Sequence, residues 1–234
     1  MGLFKNTLAC NIPGAEPVRL KAWYDPMPWD YVNCEPETKK WFCDNVKPSW
    51  HIFDCGAHIG YYSVLFSRLA PAGKIYAFEP TETIEMLKTN LSFNKIQNVY
   101  PFKLALGNKN GFQTDGIFRV WGNEPEKKEY EFTTTDRFIE INKIEKIDCI
   151  KIDVDSFDFE VLQGAEKTME KFNPFIVVEL NHALNRRNQS NMQALEWMMN
   201  RGYENAVCIG YDNFVFKKNL SFEHSTKSIK IHFA

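Results

Sequence analysis

One stretch of the sequence decides the fold: Trp50-His-Ile-Phe-Asp-Cys-Gly-Ala-His-Ile-Gly60, which is followed by Lys74-Ile-Tyr-Ala-Phe-Glu-Pro80. An apolar run ends in Asp54, a turn that contains glycines follows, and a helical pattern begins at Tyr61. A second apolar run then ends in Glu79. The order strand, turn, helix, strand and acid is typical of one side of a nucleoside-binding pocket in an α/β domain.

The glycine loop indicates which cofactor binds. Gly56 and Gly60 let the backbone approach a ligand, and the helix that follows adds free N–H donors. The loop that starts at Asp54 reads Asp-x-Gly-x-x-x-Gly, whereas the nicotinamide fingerprint is Gly-x-Gly-x-x-Gly. An acid at this point repels a pyrophosphate and favours the cationic amino-acid end of S-adenosylmethionine. The alternative is a tight connection in some other α/β domain, with Glu79 capping the next helix at Thr81.

Glu79 is the predicted ribose-binding residue, because an acid after the second strand of dinucleotide folds accepts hydrogen bonds from the ribose diol. Asp54 is predicted to accept from the ammonium group directly or through water, while small loop residues line the amino-acid end. Residues after the third strand would flank the adenine, although small or apolar side chains suit any strand end. The predicted cofactor-binding residues are Asp54, Gly56, Ala57, His58, Gly60, Glu79, Leu104 and Ala105.

Strand-like and helix-like segments alternate along the chain, which predicts an α/β fold with a mostly parallel sheet. The turn Gly210-Tyr-Asp212 is a hairpin signal, so the last two strands should pair antiparallel. The predicted strands cover residues 50–55, 74–79, 98–104, 147–154, 174–180, 206–209 and 213–216. The predicted helices cover residues 60–69, 81–94, 158–172 and 190–201, the last of which starts at a good cap, Ser190.

Two segments fall outside this alternation. Residues 109–136 are rich in glycine and alternate apolar with polar side chains, which predicts a β-rich insertion that walls the pocket or covers the sheet edge. Residues 1–35 carry aromatic side chains, among them Trp23 and Trp29, without a helical period. We predict an N-terminal arm that packs on one domain formed by residues 36–234. An acceptor lid or an oligomer contact is the alternative for the arm.

Length and composition fit one α/β domain with an N-terminal extension. The chain has 234 residues, of which 44% are hydrophobic, so it can bury a sizeable core. A net charge of -2 with scattered basic residues gives no footprint for nucleic acid. No apolar run has the length of a transmembrane segment, and we expect a cytoplasmic protein. The cysteines lack paired spacing, which predicts free thiols and no structural metal.

A set of short motifs extends the pattern beyond the glycine loop. The motifs are Asp54-Cys-Gly-Ala-His-Ile-Gly60, Phe78-Glu-Pro80, Ala105-Leu-Gly107, Thr134-Thr-Asp136, Lys151-Ile-Asp-Val-Asp-Ser156 and Val161-Leu-Gln-Gly-Ala165. In this order they resemble the FkbM family of S-adenosylmethionine-dependent methyltransferases, over roughly Pro36 to Lys218. The resemblance implies a Rossmann-like class I methyltransferase fold with a mostly parallel seven-stranded sheet and a C-terminal antiparallel strand. It also implies methyl transfer to a hydroxyl, often of a sugar or a secondary metabolite.

Two positions depart from the pattern of the family that the chain resembles. His58 stands where the family usually has Asn, inside the glycine loop. Asp155-Ser156 stands where the family usually has Glu-Gly, on the acceptor side.

Acceptor activation is predicted at the carboxyl ends of the strands, where open α/β sheets bind ligands. His182 is the predicted general base, because imidazole titrates near neutral pH and this residue closely follows the fifth strand. Asp153, after the fourth strand, would orient the hydroxyl, contact the cofactor amine or take the proton itself. Glu179 completes the predicted catalytic set. The alternatives are a loop histidine bonded to a carbonyl, and an Asp153 that caps a helix or pairs with a lysine.

A divalent cation is the alternative to a general base. Asp153, Asp155, Glu179 and Asn181 offer hard oxygen ligands, which suit Mg²⁺ bridging vicinal sugar hydroxyls. Carboxylates at strand ends also serve metal-free sites, and we predict no resident metal. The predicted function is therefore S-adenosylmethionine-dependent O-methylation of a sugar hydroxyl. A non-sugar hydroxyl acceptor, an NAD-type oxidoreductase and a catalytically silent cofactor-binding protein are the alternatives, and the oligomeric state stays open.

Overall fold

The structure, a computed structural model, describes residues 6–12, 15–22, 34–117, 125–219 and 228–230. The Cα positions divide the chain into two units, Met1–Ala105 and Leu106–Ala234. Trp23 and Trp29 of the predicted arm lie outside the described residues, as do residues 118–124 of the predicted insertion. The division into an arm and one domain stays a prediction. No helix in the described ranges has both the length and the apolar character that crossing a membrane requires.

The first unit contains an antiparallel strand pair and a parallel sheet with helices between its strands. Its elements are β1 (Asn6–Ile12), β2 (Ala15–Ala22), α1 (Pro36–Asn45), β3 (Ile52–Cys55), α2 (Tyr61–Leu69), β4 (Ile75–Phe78), α3 (Ile84–Phe93) and β5 (Val99–Phe102). β1 pairs with β2, and β4 pairs parallel with both β3 and β5. The three strands and two helices predicted for this part of the chain are present, and each is shorter than predicted. The β1–β2 pair is not predicted, although residues 18–22 alternate apolar with polar side chains.

The two faces of the parallel sheet differ in character. One face carries an aromatic ladder, in which the ring centroids of Phe53 and Tyr76 lie 5.1 Å apart and those of Phe78 and Phe102 lie 5.4 Å apart. Aromatic pairs of this kind contribute about 0.5–1.5 kcal/mol beyond the burial of their surface. Side chains alternate along a strand, so Asp54 lies on the opposite face, where it is fully buried.

The second unit contains a parallel strand pair extended by antiparallel strands. β6 (Ala105–Leu106) lies at the boundary along the chain. The other elements are β7 (Gly111–Asp115), β8 (Lys128–Thr133), α4 (Thr135–Ile141), β9 (Cys149–Ile152), α5 (Asp158–Gln163), α6 (Glu166–Phe172), β10 (Phe175–Glu179), a 3-10 helix (His182–Arg187), α7 (Asn191–Met199), β11 (Asn205–Ile209), β12 (Asn213–Phe216) and β13 (Ser228–Lys230). β10 pairs parallel with β9 and antiparallel with β12, which in turn pairs antiparallel with β11.

Several predicted local features of the second unit are present. β7 and β8 pair antiparallel within the segment predicted to be β-rich. Ser190 caps α7 in a capping box with Gln193, as its position before a helical pattern predicts. β11 and β12 form the predicted hairpin, which closes at the pair Ile209 and Asn213.

The single helix predicted over residues 158–172 is wrong, because the structure breaks it into α5 and α6. Gly164 lies at the break, and a Cβ on it would come within 2.0 Å of the carbonyl oxygen of Gly107. The Gly164 carbonyl accepts a hydrogen bond from the backbone N–H of Asp136. The Asp136 carboxylate in turn accepts a 2.8 Å hydrogen bond from the backbone N–H of Thr168, in the first turn of α6. Asp136 of α4 therefore caps a second helix start that the sequence periodicity does not reveal.

Candidate functional site

The glycine loop between β3 and α2 is held to the end of β4 by main-chain hydrogen bonds. The N–H groups of Gly56 and Ala57 both donate to the carbonyl of Phe78, at 3.1 and 2.9 Å. Gly56 and Gly60 have φ angles of 86° and 92°, a region that side-chain-bearing residues rarely adopt. A Cβ on Gly60 would also lie 2.6 Å from Cδ1 of Leu87. The positive φ therefore favours glycine at position 60, and a Cβ there would require the Leu87 side chain to shift.

Glu79, the predicted ribose acid, meets the glycine loop at the carboxyl end of β4. Its Oε2 accepts a 3.1 Å hydrogen bond from the backbone N–H of His58. Its Oε1 accepts a 3.0 Å hydrogen bond from the N–H of Thr81 and another from the Thr81 hydroxyl. Thr81 lies before α3, whose N-cap is Thr83, so these last contacts close the turn after β4 and do not cap the helix as the alternative for Glu79 required. A carboxylate offers about four lone-pair sites, so these hydrogen bonds and a ribose diol are compatible, and the ribose role stays a prediction.

Two polar residues that the sequence analysis did not select brace the glycine loop. The Ser63 hydroxyl in α2 donates to Asp54 Oδ2 at 2.6 Å, which fixes the buried carboxylate beneath the loop. The Asn90 amide in α3 donates to the carbonyl of Ile59 at 2.8 Å, and Asn90 is fully buried. An asparagine on the apolar face of a helix is the signal that could have revealed it. Asp54 therefore has a structural partner, and its contact with the cofactor ammonium stays a prediction.

The remaining predicted cofactor residues are small or apolar. Ala57 and Ala105 are buried, at 4% exposure each, and Leu104 is half-buried. His58 has a φ of 49°, in the left-handed region that favours glycine, asparagine and aspartate. An asparagine would suit this backbone, and the His58 N–H bonds to Glu79, whereas a contact of the imidazole with the cofactor stays a prediction.

In the second unit, Asp153 follows β9 and pairs with a buried lysine. Lys151 Nζ lies 2.9 Å from Asp153 Oδ2, and the Lys151 side chain is only 4% exposed. The alternative for Asp153 was a surface ion pair; an ion pair with lysine is present, but the lysine is buried. Lys151 was not a predicted site residue, yet it is buried on a strand and is the charge partner of a predicted catalytic acid.

The turn after β9 gathers further acids. Asp155, predicted as a metal-ligand alternative, is buried and has a φ of 62°. Asp158 Oδ1 accepts a 2.9 Å hydrogen bond from the N–H of Val154, so its carboxyl closes the turn. Burial raises the pKa of Asp158 well above its ordinary value; the Val154 hydrogen bond opposes this shift, and the nearby charges of Asp153 and Asp155 add to it. Asp158 therefore keeps its proton to a higher pH than an exposed aspartate.

The end of β10 joins three of the predicted acceptor-side residues. The Asn181 amide donates to Glu179 Oε2 at 2.7 Å, and its Oδ1 accepts from the N–H of Ala183 at 2.8 Å. Asn181 thereby caps the 3-10 helix whose first residue is the exposed His182. The structure thus brings Glu179 and Asn181 into contact and places His182 at the start of the following helix. The catalytic roles of these residues stay predictions.

Arg187 ends the same 3-10 helix in a cluster that sequence reasoning missed. Its Nε donates to Glu160 of α5, its Nη1 lies 3.2 Å from Asp115 Oδ2, and its guanidinium lies 3.6 Å from the ring centroid of Phe157. The Glu160 side chain is only 8% exposed. This cluster holds the helix that begins at His182. No signal in the sequence reveals it, because its members are distant along the chain.

The metal alternative gains no support from the described part of the chain. Within residues 6–12, 15–22, 34–117, 125–219 and 228–230, no group of His, Cys, Asp and Glu side chains is arranged to hold a metal ion. Among its proposed ligands, Asn181 is bonded to Glu179 and Asp153 to Lys151.

Comparison with known proteins gives a family match. The methyltransferase FkbM domain matches residues 54–204, more than half of the chain. The chain is also 26% identical over 137 residues to the hexuronic acid methyltransferase AglP of Haloferax volcanii, covering 56% of this chain and 55% of that protein. It therefore spans about half the length of this curated relative.

Solved structures show the same fold. The FkbM methyltransferase of Methylobacillus flagellatus superposes with a TM-score of 0.55 at 13% identity, covering 74% of this chain and 44% of that one. The Methanococcus jannaschii fibrillarin superposes with a TM-score of 0.51 at 12% identity, covering 92% and 94%. At such identities the likeness concerns the fold alone, and it confirms the predicted Rossmann-like class I methyltransferase architecture.

Proposed function

The chain belongs to the FkbM methyltransferase family, and on this premise we propose that it is an S-adenosylmethionine-dependent O-methyltransferase whose acceptor is a sugar hydroxyl. The sugar class is supported by the likeness to a hexuronic acid methyltransferase. Support for the cofactor comes from the glycine loop and the acid after β4.

A single hydrogen bond carries the cofactor assignment. The N–H of His58 donates to Glu79 Oε2 at 3.1 Å, so the loop after β3 and the acid after β4 meet at one edge of the parallel sheet. Parallel strands present their carboxyl ends at the same edge, where a nucleoside binds in open α/β folds. The residues present fit such a ligand, because the loop backbone is free of side chains at Gly56 and Gly60, and Glu79 supplies acceptors for a diol.

S-Adenosylmethionine supplies an electrophilic methyl group when it is bound. Glu79 would hold the ribose hydroxyls, and the loop at Gly56 and Ala57 would line the amino-acid end. Asp54 would accept from the cofactor ammonium directly or through water, and its Oδ2 already accepts from the Ser63 hydroxyl.

On the acceptor side, His182 takes the proton of the attacking hydroxyl. His182 is exposed, and the neighbouring Asn181 caps its helix, so the cap fixes the backbone conformation at the residue that carries the imidazole. Glu179 and Asp153 accept hydrogen bonds from the sugar hydroxyls, and Lys151 Nζ pairs with Asp153 at 2.9 Å. A base that removes the proton strengthens the oxygen nucleophile by typically about 10²–10⁴-fold in rate.

Product analysis tests the function. The full chain is incubated with methyl-deuterated S-adenosylmethionine and a panel of sugars, uronic acids and non-sugar alcohols, and products are read by mass spectrometry. We expect a labelled methyl ether on a sugar hydroxyl. A methyl ester on a uronic acid carboxylate, or label on a non-sugar alcohol alone, would contradict the sugar hydroxyl assignment.

Two controls separate the roles. His182→Ala should lose turnover with unchanged binding of S-adenosylhomocysteine, whereas Asn185→Ala, exposed in the same 3-10 helix, should retain both. Equal turnover in the two variants would remove the base role of His182. Turnover is expected to be insensitive to EDTA; loss that is restored by Mg²⁺ would favour the cation alternative.

A further inference from the structure

The hairpin between β11 and β12 exposes an aromatic side chain that its turn does not require. The pair Ile209 and Asn213 closes a loop of Gly210, Tyr211 and Asp212. Gly210 has a φ of 68°, so glycine fits the turn, and aspartate is also a common turn residue. Tyr211 is 97% exposed and therefore adds almost nothing to the packing of the hairpin.

The backbone under Tyr211 is firmly anchored. The carbonyl of Asp212 accepts a 2.8 Å hydrogen bond from the N–H of Leu180, the residue directly after β10. Cys208 Sγ lies 3.8 Å from the Tyr211 carbonyl, a weak contact across the turn. The aromatic side chain thus projects from a turn whose backbone is bonded to the residue after β10, and a tyrosine loses only two side-chain torsions when a ligand orders it.

The strand register places this tip near Glu179, which belongs to the proposed acceptor side. Glu179, the last residue of β10, is the pairing partner of Asn213 in β12. Tyr211 therefore lies two residues from the strand position opposite Glu179. Carboxylates and amides around the same strand end accept and donate hydrogen bonds, which suits a ligand with both an apolar face and a hydroxyl edge.

We propose that Tyr211 is a stacking platform for a pyranose ring of the acceptor. A pyranose presents C–H groups on its face and hydroxyls on its edge, so an exposed phenol ring binds the face while Glu179 accepts from the edge. This inference rests on the proposed sugar acceptor. A platform that binds the face of a ring favours a glycan or glycoside as the substrate over a flexible alcohol. The ring that stacks on Tyr211 is a pyranose of the acceptor: the one that carries the methylated hydroxyl or the next one along the glycan.

Saturation-transfer NMR tests the platform independently of catalysis. The probes are maltotriose, cellotriose and trigalacturonic acid at millimolar concentration, and aromatic protein resonances are saturated. Tyr211→Ala is compared with Tyr211→Trp and with Phe112→Ala, which removes another exposed aromatic, 65% exposed, from β7. Because Tyr211 is almost fully exposed, its substitution leaves the fold intact, and thermal melting checks this.

We expect transfer to ring C–H protons of at least one probe in the wild type and in Phe112→Ala. Tyr211→Ala should bind that probe about three- to tenfold more weakly, and Tyr211→Trp should restore binding. Equal transfer in Tyr211→Ala and wild type, or no transfer from the wild type to any probe, would overturn the proposal. The proposed function and the platform fail in different ways. Sugar binding without methyl transfer would contradict the proposed methylation of a sugar. Methyl transfer that is insensitive to Tyr211→Ala would contradict the platform alone.

Discussion

The glycine loop of the first unit and the strand ends of the second are built by different interactions. In the loop, main-chain groups of Gly56 and His58 bond to the end of β4 and to Glu79. In the second unit, charged side chains pair, as Lys151 does with Asp153 at the end of β9 and as Arg187 of the 3-10 helix does with Glu160 of α5. The stability of the loop therefore depends on its backbone conformation, whereas the stability of the second region depends on ion pairs between side chains. A substitution should thus act through strain in the first region and through unpaired charge in the second.

The largest effect is expected from Gly60→Ala, which tests strain in the loop. A Cβ at φ 92° costs about 1–2 kcal/mol, and its 2.6 Å approach to Leu87 adds about 1–3 kcal/mol of overpacking. Urea denaturation should therefore show a loss of about 2–5 kcal/mol. Gly111→Ala is the matched control, because Gly111 has a φ of 94° but nothing within 4 Å of the added Cβ. Equal losses in both variants would refute the packing contribution.

The next effect is expected from Arg187→Met, which tests the charge cluster. It leaves the buried Glu160 carboxylate without its cation, so stability should fall by about 2–3 kcal/mol. Arg201→Met is the control, since Arg201 also pairs with a carboxylate, Glu166, and lies 3.7 Å from the ring of Trp197. Glu166 is 52% exposed, and its loss of a partner should cost less than about 1 kcal/mol. Similar losses from the two arginines would contradict a role for burial.

Lys151→Met tests the second charge pair and should have a smaller effect on stability. Asp153 is 30% exposed, so water partly replaces the lost ammonium, and the expected loss is about 1–2 kcal/mol. Methyl transfer should decline while affinity for S-adenosylhomocysteine is unchanged. Lys146→Met, which removes the 46% exposed partner of Asp148, should leave both stability and turnover nearly unchanged. Unchanged turnover in Lys151→Met would exclude the pair from acceptor chemistry.

Asp158→Asn should change the pH dependence of stability. The pKa of Asp158 is raised in the folded protein by burial, so the wild type loses stability as pH rises from the unfolded value, about 3.9, through the folded pKa. The asparagine keeps an acceptor for the N–H of Val154 and has no charge. The variant should gain stability relative to wild type as pH rises, with the difference vanishing in acid. A difference that is constant with pH would contradict the shifted pKa.

The smallest effect is expected from His58→Asn. Asparagine tolerates the left-handed φ of 49°, so stability should rise by less than about 1 kcal/mol. Affinity for S-adenosylhomocysteine should be retained, because residue 58 bonds Glu79 through its backbone N–H. A large loss of affinity would show that the imidazole itself contacts the cofactor and would weaken the contrast between the two regions.

The same contrast explains what the sequence could predict. Gly56, Gly60 and Glu79 stand at fixed spacings in one short segment, so local pattern alone identifies their arrangement. Arg187 and Asp115 lie far apart along the chain, and only the fold brings them together. The break between α5 and α6 was missed for the same reason, because its cap comes from α4.

Calorimetric titration of the full chain with S-adenosylhomocysteine and with NAD tests the central claim most directly. We expect S-adenosylhomocysteine to bind the wild type, to lose its binding in Glu79→Ala, and to bind His182→Ala with unchanged affinity. NAD should produce no binding heat. Binding of NAD without binding of S-adenosylhomocysteine would contradict the assignment of the glycine loop, and full affinity of Glu79→Ala for S-adenosylhomocysteine would remove the acid from the cofactor site.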